Sequence, residues 1–239
     1  MGYSQQNQQH PTMDAKLAAG GLAGASESLK RSASSRMQFV QKVYLTLLSG
    51  LGAGGVAGLA AYSSPPLAPI GGMLHMVSIA SLLLGLFMRK NKIVGAFTLY
   101  TFCSAMGMSL GLMHNALVAD GQGHVVWMAL GVGTATFGGL TAYVFATRKD
   151  FSFLGGFLHT MLWGMFISSM LSWMFGWGLG GNFLYTILGI VMVSGFILYD
   201  THRVLEVYDD DEYFQAAWEL AWDFFYLVIK LVQLFVDRD

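Results

Sequence analysis

Residues 195–225 read GFILYDTHRVLEVYDDDEYFQAAWELAWDFF, which places one aspartate in each of two apolar segments joined by an acidic turn. Asp200 lies in the first segment and Asp223 in the second. An ionised carboxylate at the centre of a membrane helix costs at least about 2.5 kcal/mol on insertion scales, so intramembrane acids usually have a function. The two aspartates therefore indicate where the chemistry of this chain is to be found.

The composition is typical of a membrane protein, because 54% of the 239 residues are hydrophobic and 11% are charged. A soluble domain carries roughly 25% charged residues. The stretches 43–88, 93–119, 121–147 and 151–199 contain no Asp, Glu, Lys or Arg, and one span needs about 20 apolar residues. The first and last stretches are long enough for two helices each, which gives six spans, and residues 214–236 add a charged seventh.

Turn-forming residues divide the two longest stretches. Ser63-Ser64-Pro65-Pro66 interrupts the first, and the glycine-rich run 176–182 interrupts the last, because Pro removes a backbone donor and Gly frees the backbone. The predicted helices are 40–62, 70–88, 93–115, 124–146, 153–175, 183–205 and 213–236. We therefore expect an all-α integral membrane protein, a bundle of seven transmembrane helices.

Basic residues indicate the orientation, because cytoplasmic loops retain Lys and Arg. They precede the first predicted span and follow the second, fourth and sixth, whereas the alternate loops contain none. We expect a cytoplasmic N-terminus and, with seven spans, a C-terminus on the opposite side. Lys230 inside the last span fits this topology poorly, and a six-span alternative with a re-entrant last segment stays open. Both the bacterial inner membrane and the endoplasmic reticulum suit such a chain.

The first 38 residues differ from the rest of the chain. Residues 1–38 are rich in Gln, Ser, Ala and Gly and too polar to bury a core, so we expect a disordered cytoplasmic tail. The tail has no apolar segment beside a cleavage site, as a signal peptide would. A seven-helix transmembrane domain is expected to follow over residues 39–239.

Glycines share one face in two predicted helices. Small faces let helix backbones approach closely in a membrane. We expect tight packing within the chain, and homodimerisation is the alternative. The glycines are Gly50, Gly54 and Gly58 in the first helix and Gly131, Gly138 and Gly139 in the fourth.

Polar residues of the last predicted helix also share one face. At 100° per residue they fall within an arc of roughly 80°. Such a stripe is expected to face protein or a water-filled cavity rather than lipid; alternatively, Glu219 with Asp223 and Asp223 with Lys230 only satisfy one another and pack the bundle. The members of the stripe are Gln215, Glu219, Asp223, Tyr226, Lys230 and Gln233.

The acidic segment 209–212 resists burial and is predicted to form the cytoplasmic turn between the last two helices. The midpoint of Asp200 and Asp223 lies inside this segment, so an antiparallel hairpin brings both to the same depth, about 15 Å from the turn. Two carboxylates at that depth cannot both ionise cheaply, because like charges repel and apolar surroundings solvate ions poorly. We expect a proton-controlled latch that, when ionised, offers oxygen ligands to a divalent cation such as Ca²⁺.

These residues resemble the Bax inhibitor-1, or transmembrane Bax-inhibitor-motif, family. Residues 195–201 are similar to its G-x-x-L-[YF]-D-T motif, and residues 218–225 are similar to its L-x-L-D-F segment. Weaker similarities occur at 41–44, 89–95 and 152–156. The resemblance covers about residues 39–239.

The resemblance implies a bundle with the C-terminal helix at its centre that conducts Ca²⁺ as a pH-sensitive leak, gated by Asp200 and Asp223, with roles in calcium homeostasis and cell-death suppression. It also implies that Arg89 bonds to the pair, although Arg89 equally suits a positive-inside anchor. Ser78 stands where a bacterial relative carries an acid, and residues 236–239 lack the lysine-rich tail of animal members. Other residues expected beside the gate are Tyr199, His202, Glu219 and Lys230.

Three other functions compete with the leak. Aspartyl intramembrane proteases also use two aspartates, and Tyr199-Asp200 matches their first motif, but Asp223 follows Leu220-Ala221-Trp222 instead of Gly-x-Gly, so we expect no enzyme. A proton/Ca²⁺ antiporter would use the same aspartates, and a non-conducting regulator of cell death or membrane-protein quality control would use the bundle as a docking surface.

We expect lipid, Ca²⁺ and membrane proteins as partners, no nucleic acid, and no cofactor beyond permeant Ca²⁺ and regulating protons. The oligomeric state stays open.

Overall fold

The computed structural model of the chain describes residues 13–63, 73–74, 76–78, 80–81, 84, 91–176 and 182–236, with side chains from Ser34 onward except that of Trp173. These residues form seven helices and no strand. The helices are α1 (Met13–Tyr62), α2 (helical at 73–74, 76–78, 80–81 and 84), α3 (Lys92–Ala119), α4 (His124–Thr147), α5 (Leu154–Phe175), α6 (Phe183–Glu206) and α7 (Tyr213–Val236). Each predicted span corresponds to one helix.

The first helix is longer than the sequence predicts. α1 begins at Met13, so it includes residues 13–38, where the composition predicts a disordered tail. Low hydrophobicity argues against a buried core, but it does not prevent a local helix, and this stretch is rich in Ala and contains Leu, Lys and Glu, all strong helix formers. The chain forms two compact units, Met1–Phe39 and Val40–Asp239, and the second unit carries every feature described below.

The chain is an all-α membrane protein. Among the described residues, five helices are long and apolar enough to cross a membrane: Ser34–Tyr62, Lys92–Ala119, His124–Thr147, Leu154–Ser172 and Phe183–Glu206. Large apolar side chains are exposed on their outer faces, for example Leu45, Trp163 and Leu184, as expected where the surroundings are lipid. α7 carries three charges and continues without a break for 24 residues, about 36 Å, and the side of the membrane on which it ends stays a prediction.

The C-terminal helix lies at the centre of the bundle, as predicted. α7 packs against α3, α4 and α6. Twelve of its 24 residues are buried, including Asp223 and Lys230. Neighbouring helices thus shield the charged residues of α7 from lipid, which would solvate them poorly.

Polar and glycine residues determine several helix ends. The Asn182 side-chain oxygen accepts hydrogen bonds from the backbone N–H groups of Leu184, at 2.9 Å, and Tyr185, at 3.4 Å. These bonds satisfy donors that a helix start leaves without partners. α5 ends at Gly176, whose φ of 68° is the left-handed conformation that glycine adopts readily. This cap and this turn define where α6, the helix of Asp200, begins.

Glycines bring α1 and α3 into backbone contact. A Cβ added at Gly107 of α3 would overlap the carbonyl oxygen of Gly54 in α1. Tight packing within the chain is therefore confirmed for the glycines of the first helix. It is wrong for Gly131, Gly138 and Gly139 of α4, because a Cβ added there would meet no atom within 4 Å. These three glycines lie on exposed faces of α4.

Candidate functional site

Asp200 of α6 and Asp223 of α7 face each other inside the bundle. Their carboxyl groups lie close enough to interact with each other, and their exposed fractions are 6% and 1%. An ionised carboxylate only accepts hydrogen bonds, so a bond between two carboxyl groups requires a proton on one of them. The hairpin geometry predicts this contact; the role of the pair as a gate stays a prediction.

Arg203 connects this pair to a third acid. Its Nη1 donates to Asp200 Oδ1 at 3.2 Å and to Glu219 Oε2 at 2.5 Å. Arg203 lies one turn after Asp200 on α6, and Glu219 lies one turn before Asp223 on α7. Because the helices are antiparallel, both residues lie on the turn side of the aspartates, where one guanidinium bridges α6 and α7.

Glu219 has further partners near the turn. The hydroxyl of Tyr208 donates to Glu219 Oε2, and Gln215 Nε2 donates to Oε1 at 3.0 Å. Burial raises the pKa of the Tyr208 hydroxyl, and the Glu219 carboxylate raises it further, so this hydroxyl stays a donor. The Arg203 guanidinium also lies 4.5 Å from the Tyr208 ring centroid, within the range of cation–π attraction. These contacts hold the turn-side end of the hairpin together.

One oxygen of the aspartate pair has no partner. Asp223 Oδ2 is buried and makes no hydrogen bond in the described part of the chain. Leaving a buried acceptor without a bond costs roughly 1–3 kcal/mol, so such atoms are few in native proteins. This oxygen is therefore available to a proton or a cation without loss of an existing bond.

Tyr199 and His202 contact the neighbouring α4–α5 region instead of the paired carboxyl groups. A Cβ added at Gly155 of α5 would lie 2.8 Å from the Tyr199 ring. His202 Nε2 lies 3.2 Å from Asp150 Oδ1, in the connection between α4 and α5. Hydrogen bonds from Ser152 lower the pKa of Asp150, and the charge of His202 contributes less. Both residues thus position α6 against its neighbours.

Lys230 lies two turns beyond Asp223, about 10 Å farther from the α6–α7 turn. Its Nζ donates to Gln233 Oε1 at 3.0 Å and lies 5.1 Å and 5.6 Å from the ring centroids of Tyr185 and Tyr226. Across the described ranges it forms no salt bridge with a carboxylate. The alternative in which Asp223 pairs with Lys230 is therefore wrong.

Arg89, expected to bond to the aspartates, lies outside the described residues. Arg203 instead bonds to Asp200. In the sequence it serves only as one of the basic residues that indicate orientation, but its i, i+3 spacing from Asp200 is the signal that could have predicted the contact. Within the described segments, no group of three or more His, Cys, Asp or Glu side chains is arranged to hold a metal ion.

The chain is similar to known proteins over most of its length. The family model for inhibitors of apoptosis-promoting Bax1 matches residues 36–239. Bax inhibitor 1 of Schizosaccharomyces pombe is 28% identical over 206 residues, which cover 83% of this chain and 76% of that protein. A Golgi anti-apoptotic protein of vaccinia virus (strain Lister) is 30% identical over 162 residues, 68% of this chain and 67% of its own. The modulator of FtsH protease YccA of Escherichia coli (strain K12) is 28% identical over 169 residues, which cover 70% of this chain and 76% of that protein.

Proposed function

The chain belongs to the Bax inhibitor-1 family, and from that premise we propose that it is a pH-sensitive cation leak, with Ca²⁺ as the permeant ion, gated by Asp200 and Asp223. The observation that carries the proposal is the pair of buried, mutually close carboxyl groups between α6 and α7. A pair of this kind attracts only while it holds a proton, because two ionised carboxylates at contact distance repel each other. Loss of the proton therefore weakens the contact between α6 and α7.

Arg203 and Glu219 extend the latch toward the turn. The guanidinium bonds to one acid from each helix, so it keeps α6 near α7 after the proton has left. Opening requires Arg203 to exchange at least one of these acids for water. A cation that enters between the helices competes for the same carboxylates, so the proton and the cation act on one site.

Ca²⁺ suits this site as cargo. The ion takes about 6–8 oxygen ligands and accepts flexible geometry. Asp200 and Asp223 supply two carboxylates, one of them with an oxygen that has no hydrogen-bond partner in the described part of the chain, and no third acidic side chain there is arranged with them to hold a metal ion. With water in the remaining positions, such a site binds Ca²⁺ weakly, as conduction requires, because a permeant ion must leave as readily as it enters.

A second candidate function is regulation of cell death or of membrane-protein quality control. The similarity to proteins named an anti-apoptotic protein and a modulator of FtsH protease favours it. In this candidate the aspartate pair sets the shape of the surface that a membrane-protein partner binds, and the bundle conducts nothing. The same pair also suits a proton/Ca²⁺ antiporter, in which Ca²⁺ movement requires an opposing proton gradient.

Ca²⁺ flux into liposomes that contain the purified protein and a Ca²⁺ dye tests these candidates. A leak gives flux down the Ca²⁺ gradient without a proton gradient, with a pH dependence that is lost in Asp200→Asn and Asp223→Asn. Asp150→Asn is the matched control, because Asp150 is exposed and contacts α6 through His202. Strict dependence on a proton gradient identifies the antiporter. Absence of flux, or wild-type pH dependence in both variants, rejects the leak.

A further inference from the structure

Lys230 is a buried cation on the same face of α7 as Asp223. It is 6% exposed. Its alkyl chain crosses α6 at Gly189, where an added Cβ would lie 2.9 Å from Lys230 Cε and 3.0 Å from Cδ. Glycine at this position therefore gives the lysine side chain the room to lie between the two helices.

The Lys230 ammonium group occupies surroundings that suit a cation. The rings of Tyr185 and Tyr226 lie within the roughly 6 Å over which cation–π attraction acts. Gln233 accepts the hydrogen bond from Nζ. The position of Tyr185 is itself fixed, because its hydroxyl donates to the carbonyl oxygen of Met165 in α5 at 2.6 Å. Aromatic faces from α6 and α7 and one amide oxygen thus form a cation site.

The polar residues between α6 and α7 lie in order of distance from the turn, and we call them the polar seam. Arg203 and Glu219 come first, and the aspartate pair follows one turn deeper. Lys230 comes last, about 10 Å beyond Asp223. The members of the seam are Tyr185, Asp200, Arg203, Glu219, Asp223 and Lys230.

We propose that Lys230 is a tethered blocking cation: its ammonium group fills the cation site between Tyr185 and Tyr226 and keeps permeant cations out of the deep half of the polar seam. This inference rests on the proposed cation leak and adds a second barrier to it. The aspartate pair sets the pH dependence of the flux, and Lys230 sets its amplitude and its preference between ions.

The charge of Lys230 acts most strongly on divalent ions. Coulomb repulsion grows with the product of the charges and is screened weakly in a buried region. A Ca²⁺ ion beside Asp223 therefore meets about twice the repulsion from Lys230 that a monovalent ion meets. Removing the charge is expected to raise Ca²⁺ flux more than K⁺ flux.

The experiment measures Ca²⁺ and K⁺ flux through liposomes that carry wild-type protein, Lys230→Met, Lys230→Arg or Lys230→Ala. Methionine removes the charge and keeps the length of the side chain, whereas arginine keeps the charge. We expect Lys230→Met to raise Ca²⁺ flux at least about tenfold without changing its pH dependence, because the repulsion between a unit charge and a divalent ion about 10 Å away in a partly shielded region exceeds what a tenfold change requires. Lys230→Arg is expected to conduct like the wild type. Size-exclusion chromatography checks that each variant folds.

Added methylammonium tests the cation site itself. Lys230→Ala leaves the space between Tyr185 and Tyr226 for a small ammonium ion, so methylammonium is expected to reduce Ca²⁺ flux through this variant and not through Lys230→Met. If Lys230→Ala does not fold, the Ca²⁺ flux through Lys230→Met compared with that through Lys230→Arg tests the proposal by itself.

The proposal is overturned by any of three results: Lys230→Met flux no greater than that of the wild type, Lys230→Arg as conductive as Lys230→Met, or no effect of methylammonium on folded Lys230→Ala. Failure of the leak itself is distinguishable, because it appears as a pH dependence that Asp200→Asn and Asp223→Asn leave unchanged.

Discussion

Arg203 is the residue at which two acids from opposite helices meet. It bonds to Asp200 on its own helix and to Glu219 on α7. Its side chain is 22% exposed and that of Glu219 is 18% exposed, so water screens this contact only in part. Hydrogen bonds between charged groups contribute roughly 1.5–3 kcal/mol in such surroundings.

A double-mutant cycle measures this contact. Arg203→Met is expected to lower the free energy of unfolding by about 1.5–3 kcal/mol, because it leaves the Glu219 carboxylate without its cationic partner. Combining Arg203→Met with Glu219→Gln should cost less than the sum of the two single changes, since the double variant has no Glu219 carboxylate to be left without its partner. Denaturant unfolding in detergent micelles gives the three values. Costs that add to within about 0.5 kcal/mol would show that the contact contributes nothing.

Individual contacts differ in how far the sequence predicts them. Asp200 and Asp223 flank the acidic turn symmetrically, so hairpin geometry alone brings them together. The contact of Arg203 with Asp200 is compatible with their i, i+3 spacing on one helix. The sequence alone does not show which of several basic residues binds these acids. The Tyr185 ring over Lys230 is not predictable this way, because the two residues are 45 positions apart and their contact depends on how α6 and α7 pack.

At the scale of helices, the packing of α1 against α3 depends on glycine. Gly107 of α3 lies against the backbone of Gly54 in α1, and a side chain at either position would separate the two helices. Gly139 of α4 is the opposite case, because a Cβ there would meet nothing within 4 Å. The two positions form a natural pair for comparison.

Alanine substitutions at these positions should have opposite effects. Gly107→Ala is expected to lower the free energy of unfolding by about 1–3 kcal/mol, the usual cost of overpacking. Gly139→Ala is expected to be neutral or to stabilise the helix by up to about 1 kcal/mol, because alanine favours helix more than glycine does. Thermal unfolding in the same detergent compares them. Equal shifts for both variants would contradict the close approach of α1 and α3.

Helix bounds follow closely from the sequence because charge and turn residues mark them. α4 and α6 each end within one residue of the prediction, at Thr147 and Glu206. α3 extends four residues beyond it, to Ala119, since the apolar run continues to that point. The sequence does not predict that α1 begins at Met13. A polar composition indicates that a segment is not buried, but it does not indicate whether the backbone is helical.

At the scale of the molecule, the bundle places its most polar helix inside. The charged stripe of α7 by itself predicts only that this face of the helix avoids lipid. The family resemblance is what predicts that α7 lies at the centre of the bundle. The structure confirms it through the contacts of α7 with α3, α4 and α6. The polar seam therefore lies within the protein, where a change in charge alters helix packing.

Infrared spectroscopy of protein carrying isotopically labelled aspartate tests most directly whether Asp200 and Asp223 share a proton. At neutral pH we expect a carboxylic-acid C=O band that shifts with the label, is absent from the Asp200→Asn/Asp223→Asn double variant, and disappears over the same rise in pH that increases Ca²⁺ flux. A spectrum that shows only ionised aspartate at neutral pH, or an acid band that persists in the double variant, would contradict the latch.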